Sequence, residues 1–120
     1  MSTITTFDLD RFTRAAEERD AATQLSMYGP DAVVTINNKI SQPGSPRVLR
    51  GREEIKGWLE DVYGRDMTHE VKHRVHDDTG AAYTQACRYQ DGTNVICGTV
   101  IELDGGAIAR QTVLEVWDEA

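Results

Sequence analysis

A single carboxylate lies among apolar residues near the end of the sequence, where it could take part in acid–base chemistry. Residues 107–117 alternate in a way typical of a β-strand, and Glu115 falls between Val113 and Trp117 on one side of it. A carboxylate in apolar surroundings can act as a general acid or base near neutral pH. A solvated position at the strand end, or a pairing with an arginine, is the alternative. We take Glu115 as the first catalytic candidate.

Three histidines in residues 68–77 provide a second candidate. His69 and His73 share one face of this predicted strand with two valines, whereas His76 lies on the other face. We expect His73, nearer mid-strand, to be the better proton shuttle, because imidazole titrates near neutral pH. A histidine satisfied by a backbone carbonyl is the competing interpretation. On a strand, His69 and His73 are about 13 Å apart, too far to share one ion, so no metal is expected.

Two cysteines flank a predicted turn at Asp91-Gly92. Cys87 and Cys97 could touch in a register that places them opposite each other, whereas a two-residue turn would pair Cys87 with Ile96. Two cysteines are too few for a disulfide framework, so we expect reduced thiols that line a pocket or the core. A cysteine nucleophile needs a lowered pKa and a nearby base, and no neighbour in the sequence supplies one.

The overall composition limits the classes of function. The chain has 120 residues, of which 39% are hydrophobic and 28% charged, and this fits one globular domain over residues 1–120. Its net charge of −7 argues against binding to nucleic acid or to an anionic membrane, since both need a basic face. No apolar run is long enough to span a bilayer, and residues 1–5 do not resemble a signal peptide, so we expect a cytoplasmic protein.

Helical periodicity and turn residues divide the first half of the chain into short elements. The predicted elements are a helix that starts at Thr5–Asp8 and ends at Arg19-Asp20, a helix over Ala22–Tyr28, a strand over Asp31–Asn37, and a helix from Gly51 to a left-handed terminator at Gly64. A loop with two prolines separates the strand from the last helix.

The second half of the chain alternates with period two. Four strands are predicted over residues 68–77, 81–90, 93–103 and 107–117. Short turns that contain Asp and Gly join them, so neighbouring strands should be antiparallel. Helices, a strand, a helix and then a four-stranded meander form an α+β pattern.

The order of several short motifs resembles a known superfamily. These motifs are the helix end at Arg19-Asp20, then Tyr28-Gly29-Pro30-Asp31-Ala32-Val33-Val34, Gly51-Arg52-Glu53-Glu54-Ile55, Tyr89-Gln90-Asp91-Gly92-Thr93 and Asp104-Gly105-Gly106-Ala107-Ile108. Together they resemble the nuclear transport factor 2-like (cystatin-like) superfamily, in its SnoaL-like and ketosteroid-isomerase-like branch. The resemblance implies a cone-shaped, curved antiparallel sheet packed on about three N-terminal helices around an apolar pocket. It also implies a homodimer that pairs through the sheet.

By resemblance, only some of the catalytic residues of these relatives have a counterpart of the same chemical type in this sequence. By resemblance, the general base of the isomerases falls at Ile36, their oxyanion-binding tyrosine at Phe12, and their second donor near Thr99. An alkyl chain cannot take a proton, so steroid isomerisation by the familiar route is rejected. The resemblance to epoxide hydrolases of this fold places one of their carboxylates at Glu115, but the Arg-x-Asp pair expected within residues 99–103 is missing.

Three kinds of function remain open. The first is a cofactor-independent enzyme that uses Glu115 and His73 on a small apolar or polycyclic molecule, for cyclisation, isomerisation, dehydration or hydrolysis. The second is a non-catalytic ligand-binding or dimeric accessory module with the same pocket. The third is a pure assembly domain that dimerises through the sheet. The residues expected to line the pocket are Phe12, Tyr28, Ile36, Trp58, Gln85, Cys87, Cys97, Thr99, Val113 and Trp117. The residues expected on the outer, dimer-forming face are Ile96, Val100, Leu114 and Val116.

Overall fold

Three helices pack on one side of the molecule in the computed structural model, which describes residues 7–118. They are α1 (Leu9–Glu17), α2 (Ala21–Leu25) and α3 (Gly51–Tyr63). Asp8 caps α1 by accepting a hydrogen bond from the Arg11 amide at 2.9 Å, and Asp20 caps α2 through the Thr23 amide at 3.1 Å. The predicted start of the first helix is therefore confirmed at Asp8, while Thr5 and Thr6 lie outside the described residues.

Six strands form one curved sheet that faces these helices, so the α+β prediction is confirmed. The strands are β1 (Tyr28–Asn37), β2 (Arg47–Arg50), β3 (Met67–His76), β4 (Gly80–Tyr89), β5 (Asn94–Asp104) and β6 (Ala107–Trp117). Their order across the sheet is β2-β1-β6-β5-β4-β3. The four predicted strands of the meander agree with β3 to β6 within about a residue at each end.

The sheet is mixed rather than purely antiparallel, because β1 runs parallel to β6. These two strands are far apart in the sequence and are not joined by a hairpin, so no short turn fixes their relative direction. All other neighbours are antiparallel, as the short turns predicted.

Two predictions about the first half of the chain are wrong, and one short strand was not predicted. Helix α2 ends at Leu25 rather than at Tyr28, and Tyr28, Gly29 and Pro30 lie inside β1 instead. The pairing of β1 with β6 shifts register between Tyr28 and Val33, and such an irregularity tolerates a proline that cannot donate to the ladder. Gly64 has an ordinary φ of −81° and is not a left-handed terminator. The edge strand β2 was missed, because its four residues are too few to show an alternation.

The hydrophobic core divides into a large and a small cluster. Phe12 is 1% exposed in the large one, and its ring lies 6.0 Å from that of Tyr28 and 6.4 Å from that of Tyr83. Ile36 is buried in the same cluster. The small cluster joins Met67, Cys87 and Val95 at the other end of the sheet. Within residues 7–118, no helix combines the length and the hydropathy needed to cross a membrane.

Candidate active site

A cavity lies between the inner face of strands β3–β6 and one side of α3. Its walls are mainly aromatic and aliphatic, with a few polar side chains. The lining residues include Tyr28, Trp58, Tyr63, His69, Tyr83, Gln85, Cys87, Cys97, Thr99, Val113, Glu115 and Trp117. The space among the lining side chains is about 630 Å³ when its open mouth is included. This arrangement suits a small, mostly apolar ligand.

The strand register explains which side chains meet on the inner face. One row, in directly paired positions across β6, β5 and β4, consists of Glu115, Cys97 and Gln85. The next row consists of Trp117, Val95, Cys87 and His69. Neighbouring strands are about 4.8 Å apart, so Glu115 and His69 lie on opposite flanks of the same cavity wall. A ligand between them would lie over the two cysteines.

Glu115 is held by two neutral N–H donors. Its Oε1 accepts hydrogen bonds from Asn38 Nδ2 at 2.9 Å and from Trp117 Nε1 at 3.2 Å. Asn38 is itself fixed by its turn, since its Oδ1 accepts from the Ile40 and Ser41 amides at 2.9 and 2.7 Å. The carboxylate is half-buried, and no ion pair involving it occurs within residues 7–118. Its position is therefore defined without a neutralising cation.

A second polar group is centred on Cys87, which is buried. His69 Nδ1 lies 3.2 Å from Cys87 Sγ, and Gln85 Nε2 lies 2.8 Å from Nδ1 and 3.2 Å from the same sulfur. The Tyr63 ring packs edge-on against His69, with centroids 5.3 Å apart. His69 Nε2 is buried and has no hydrogen-bond partner among the described residues.

The environments of the two cysteines move their pKa values in opposite directions. Hydrogen bonds from Cys97, and then from His69 and Gln85, lower the pKa of the Cys87 thiol, although burial opposes them. The interaction with Cys87, together with burial and the nearby Glu115 charge, raises the pKa of Cys97. When one thiol of the pair loses its proton, it is therefore that of Cys87, while Cys97 keeps its S–H. Neither cysteine is in a disulfide.

The buried Tyr28 and Tyr83 and the partly buried Tyr63 add hydroxyl groups to the cavity. Tyr28 donates to Gln111 Oε1, and Tyr63 donates to Gln24 Oε1 at 2.6 Å. Burial is the main cause that raises the pKa of Tyr28, Tyr63 and Tyr83 above the ordinary value for tyrosine. These hydroxyls therefore stay protonated and can donate hydrogen bonds.

His73 does not lie where the alternation predicted. The register of β3 with β4 shifts between Lys72 and Val75, and His73 has a left-handed φ of 53°. This irregularity interrupts the alternation, so His73 is exposed and does not line the cavity. The expected pairing of His73 with Glu115 in one cavity is wrong, and His69 is the buried histidine on its wall.

Two residues expected in the pocket belong to the core instead. Phe12 and Ile36 pack behind the cavity and do not line it. The other eight residues expected there are on the cavity wall, and their role in binding stays a prediction.

Several polar residues of the site were missed by sequence reasoning. Asn38 reaches Glu115 from the loop after β1, and Gln24 and Gln111 accept from the buried tyrosines. The contact between His69 and Cys87 depends on the register of β3 with β4. The only available signal was that His69 shares the apolar face of its strand.

The fold and the cavity together define a class, an α+β protein whose curved sheet covers a mostly apolar cavity. The family model of the SnoaL-like domain matches residues 9–111. The chain therefore belongs to the SnoaL-like family, and the predicted resemblance is confirmed. A sequence comparison with curated proteins gave no match.

Solved structures share this fold at low sequence identity. A nuclear transport factor 2-like protein of unknown function from Burkholderia xenovorans superposes with a TM-score of 0.77 at 16% identity, covering 93% of this chain and 82% of its own. A candidate ketosteroid isomerase from Kribbella flavida gives 0.72 at 17%, covering 92% and 75%. The epoxide hydrolase/cyclase-like enzyme SalBIII, which has a role in pyran ring formation in the polyether salinomycin, gives 0.67 at 20%, covering 92% and 87%.

Proposed function

We propose that this protein is a cofactor-independent acid–base enzyme that acts on a small, mostly apolar carbonyl compound. The observation that carries the proposal is Glu115, a half-buried carboxylate that lines an aromatic cavity and forms no ion pair with any of residues 7–118. Such a group can remove a proton next to a carbonyl or return one to a developing leaving group. The resemblance to isomerases and cyclases of the same fold supports this reaction class.

The size of the cavity favours a small ligand over a large polycyclic one. Part of the space of about 630 Å³ belongs to the open mouth, so the enclosed part is smaller. Trp58 and Trp117 offer flat walls for a ring. Arg65 lies at the wall, but it is already paired with Asp61 at 2.6 Å and bonded to the Tyr89 hydroxyl at 3.0 Å. A neutral ligand therefore fits this site better than an anion.

The polar groups suggest a division of roles. Glu115 is the general base or acid, and the neutral hydroxyl of Tyr83 is the donor for an oxygen that gains negative charge. His69 replaces His73 as the histidine of the site. Isomerisation, ring closure, dehydration and hydrolysis all use such proton transfers.

Exchange of protons next to a carbonyl tests the role of Glu115. The ketone 4-phenylbutan-2-one is incubated with the protein in deuterated buffer, and NMR measures deuterium incorporation beside the carbonyl. We expect the wild type to accelerate exchange and Glu115→Gln to lose about 100-fold or more of that acceleration. Glu102→Gln changes an exposed glutamate on β5 and should retain full activity. Equal rates for the two variants would exclude Glu115 as the base.

A non-catalytic binding protein is the second candidate function. It is favoured by the apolar Ile36 and Phe12 at the positions where the resemblance placed a base and a hydroxyl donor. A ketone that binds in the cavity but exchanges no faster than in buffer would favour this candidate.

We also propose that the protein forms a homodimer through the outer face of the sheet. The side chains of Ile96 and Val116 are directly paired on β5 and β6 and are 58% and 70% exposed. Val100 and Leu114 extend this apolar surface along the same two strands. A continuous apolar surface on a sheet is usually buried in an interface with another protein chain.

A further inference from the structure

The cluster around Cys87 has the parts of an activated nucleophile. His69 lies directly opposite Cys87 in the register of β3 and β4, and its Nδ1 is 3.2 Å from Sγ. A buried structural cysteine normally has apolar neighbours and stays a thiol. This sulfur instead faces the imidazole, the Gln85 amide and the Cys97 thiol, and all of them can donate to a thiolate.

The Gln85 amide indicates how the proton is distributed. Its nitrogen is 2.8 Å from His69 Nδ1, and an N–H can donate there only if the neutral ring carries its proton on Nε2. Nδ1 is then the basic atom beside the thiol. The amide also lies 3.2 Å from Cys87 Sγ, so it can support the sulfur once the thiol proton has moved to Nδ1.

The Nε2 atom of His69 is evidence that a ligand binds beside this ring. It is buried and has no hydrogen-bond partner within residues 7–118, and His69 itself is 7% exposed and lines the cavity. A buried N–H without an acceptor is destabilising, and an acceptor oxygen on a bound molecule would satisfy it. The cluster therefore combines a nucleophile, a base beside it and a free donor.

We propose that Cys87 and His69 form a nucleophilic pair that adds reversibly to small α,β-unsaturated carbonyl compounds in this cavity. The proposal rests on the proposed binding of small carbonyl compounds, but it does not use Glu115. This class of electrophile fits because the addition needs one proton, which the pair itself supplies, and no other reactant.

The addition balances within the pair and the ligand. Cys87 gives its proton to His69 Nδ1, and a sulfur electron pair forms a bond to the β-carbon. The carbon–carbon π pair moves towards the carbonyl, whose oxygen accepts from His69 Nε2–H. The α-carbon then takes the proton from Nδ1, so the ring returns to its neutral form and the product is a thioether. The reverse sequence of steps releases the ligand.

Covalent labelling with an enone tests the proposal. Reduced protein is mixed with 4-phenylbut-3-en-2-one, the adduct is trapped with borohydride, and peptide mass spectrometry identifies the modified residue. We expect one adduct, on Cys87, that is absent in Cys87→Ser. The adduct on Cys87 should persist in Glu115→Gln and in Cys97→Ser, whose hydroxyl can still donate a hydrogen bond to the Cys87 sulfur. Labelling at Cys97 instead, or no labelling of the wild type, would overturn the proposal. Loss of labelling in Glu115→Gln alone would overturn its independence from Glu115.

The dependence of alkylation on pH gives a second test that needs no altered protein. The rate at which iodoacetamide modifies Cys87 is measured from about pH 5 to about pH 9. We expect the midpoint well below that of an ordinary thiol, about 8.5. His69→Gln should move the midpoint towards that ordinary value and slow enone addition at least about tenfold at neutral pH. An ordinary midpoint in the wild type would contradict the activated pair.

Discussion

Glu115 depends on a neighbour that its own strand does not provide. The alternation of β6 was sufficient to put Glu115 on the inner face beside Val113 and Trp117. The alternation could not indicate Asn38, because that residue lies in a loop whose path depends on the turn from Asn38 to Ser41. A sequence pattern can therefore place a candidate catalytic side chain on the inner face, while the groups that orient this side chain depend on tertiary structure.

The buried tyrosines should make stability sensitive to high pH. Burial raises the pKa of Tyr28, Tyr63 and Tyr83, so the folded state holds protons that the unfolded state releases above about pH 10. The stabilisation is fully present below that pH and is lost as the pH rises towards the folded-state pKa. Each tyrosine contributes a decrease of up to about 1.4 kcal/mol per pH unit.

Urea unfolding measured at neutral pH and above about pH 10 checks this prediction. The free energy of unfolding should decrease over the alkaline range. Tyr83→Phe should flatten this decrease, whereas Tyr89→Phe, which changes a less buried tyrosine, should not. An alkaline decrease in the free energy of unfolding that is as steep in Tyr83→Phe as in the wild type would contradict the raised pKa of Tyr83.

The irregularity in β3 marks the point up to which alternation in the sequence predicted which side chains of the strand face inward. Alternation placed His69 on the apolar face, and the structure agrees. Beyond Lys72 the register shifts, and a period-two pattern has no means of showing an extra residue. The same limit applies to the cysteines, because the loop between β4 and β5 pairs Cys87 with Val95 rather than with Ile96 or Cys97.

Replacement of His73 should therefore leave activity unchanged. His73 has a φ of 53°, which glycine adopts without strain, so the variant gains stability in the folded state. Glycine also raises the entropy of the unfolded chain, and this effect lowers the stability. We expect His73→Gly to change the free energy of unfolding by no more than about 1 kcal/mol and to leave ketone exchange and enone labelling as in the wild type. Chemical denaturation and the two assays measure this. A large loss of activity in a folded His73→Gly protein would show that His73 contributes to the activity and would contradict this prediction.

At the level of the whole molecule, the two faces of the sheet have different roles. The inner face is covered by the helices and the cavity, and its α+β arrangement was predictable from periodicity and turns. The parallel pairing of β1 with β6 was not predictable, since no local turn encodes it. The outer face keeps several large apolar side chains exposed, including Val100 and Leu114.

The proposed dimer is tested by a charge on that outer face. We expect sedimentation velocity at micromolar concentration to give twice the mass of one chain for the wild type. Leu114→Lys should give a single chain, because the charge would have to be buried in the interface. Ala22→Lys adds the same charge to an exposed position on α2 and should stay dimeric. A monomeric wild type would contradict the dimer and leave the cavity unaffected.

Binding of a small carbonyl compound in the cavity is tested most directly by determining which face of the sheet the compound contacts. Methyl-labelled protein is mixed with 4-phenylbutan-2-one, and intermolecular nuclear Overhauser effects are recorded. Val95 and Val113 line the cavity, whereas Val100 and Val116 are on the outer face of the same two strands. We expect contacts from the ligand to Val95 and Val113. Contacts to Val100 and Val116 alone, or none at millimolar ligand, would contradict this expectation.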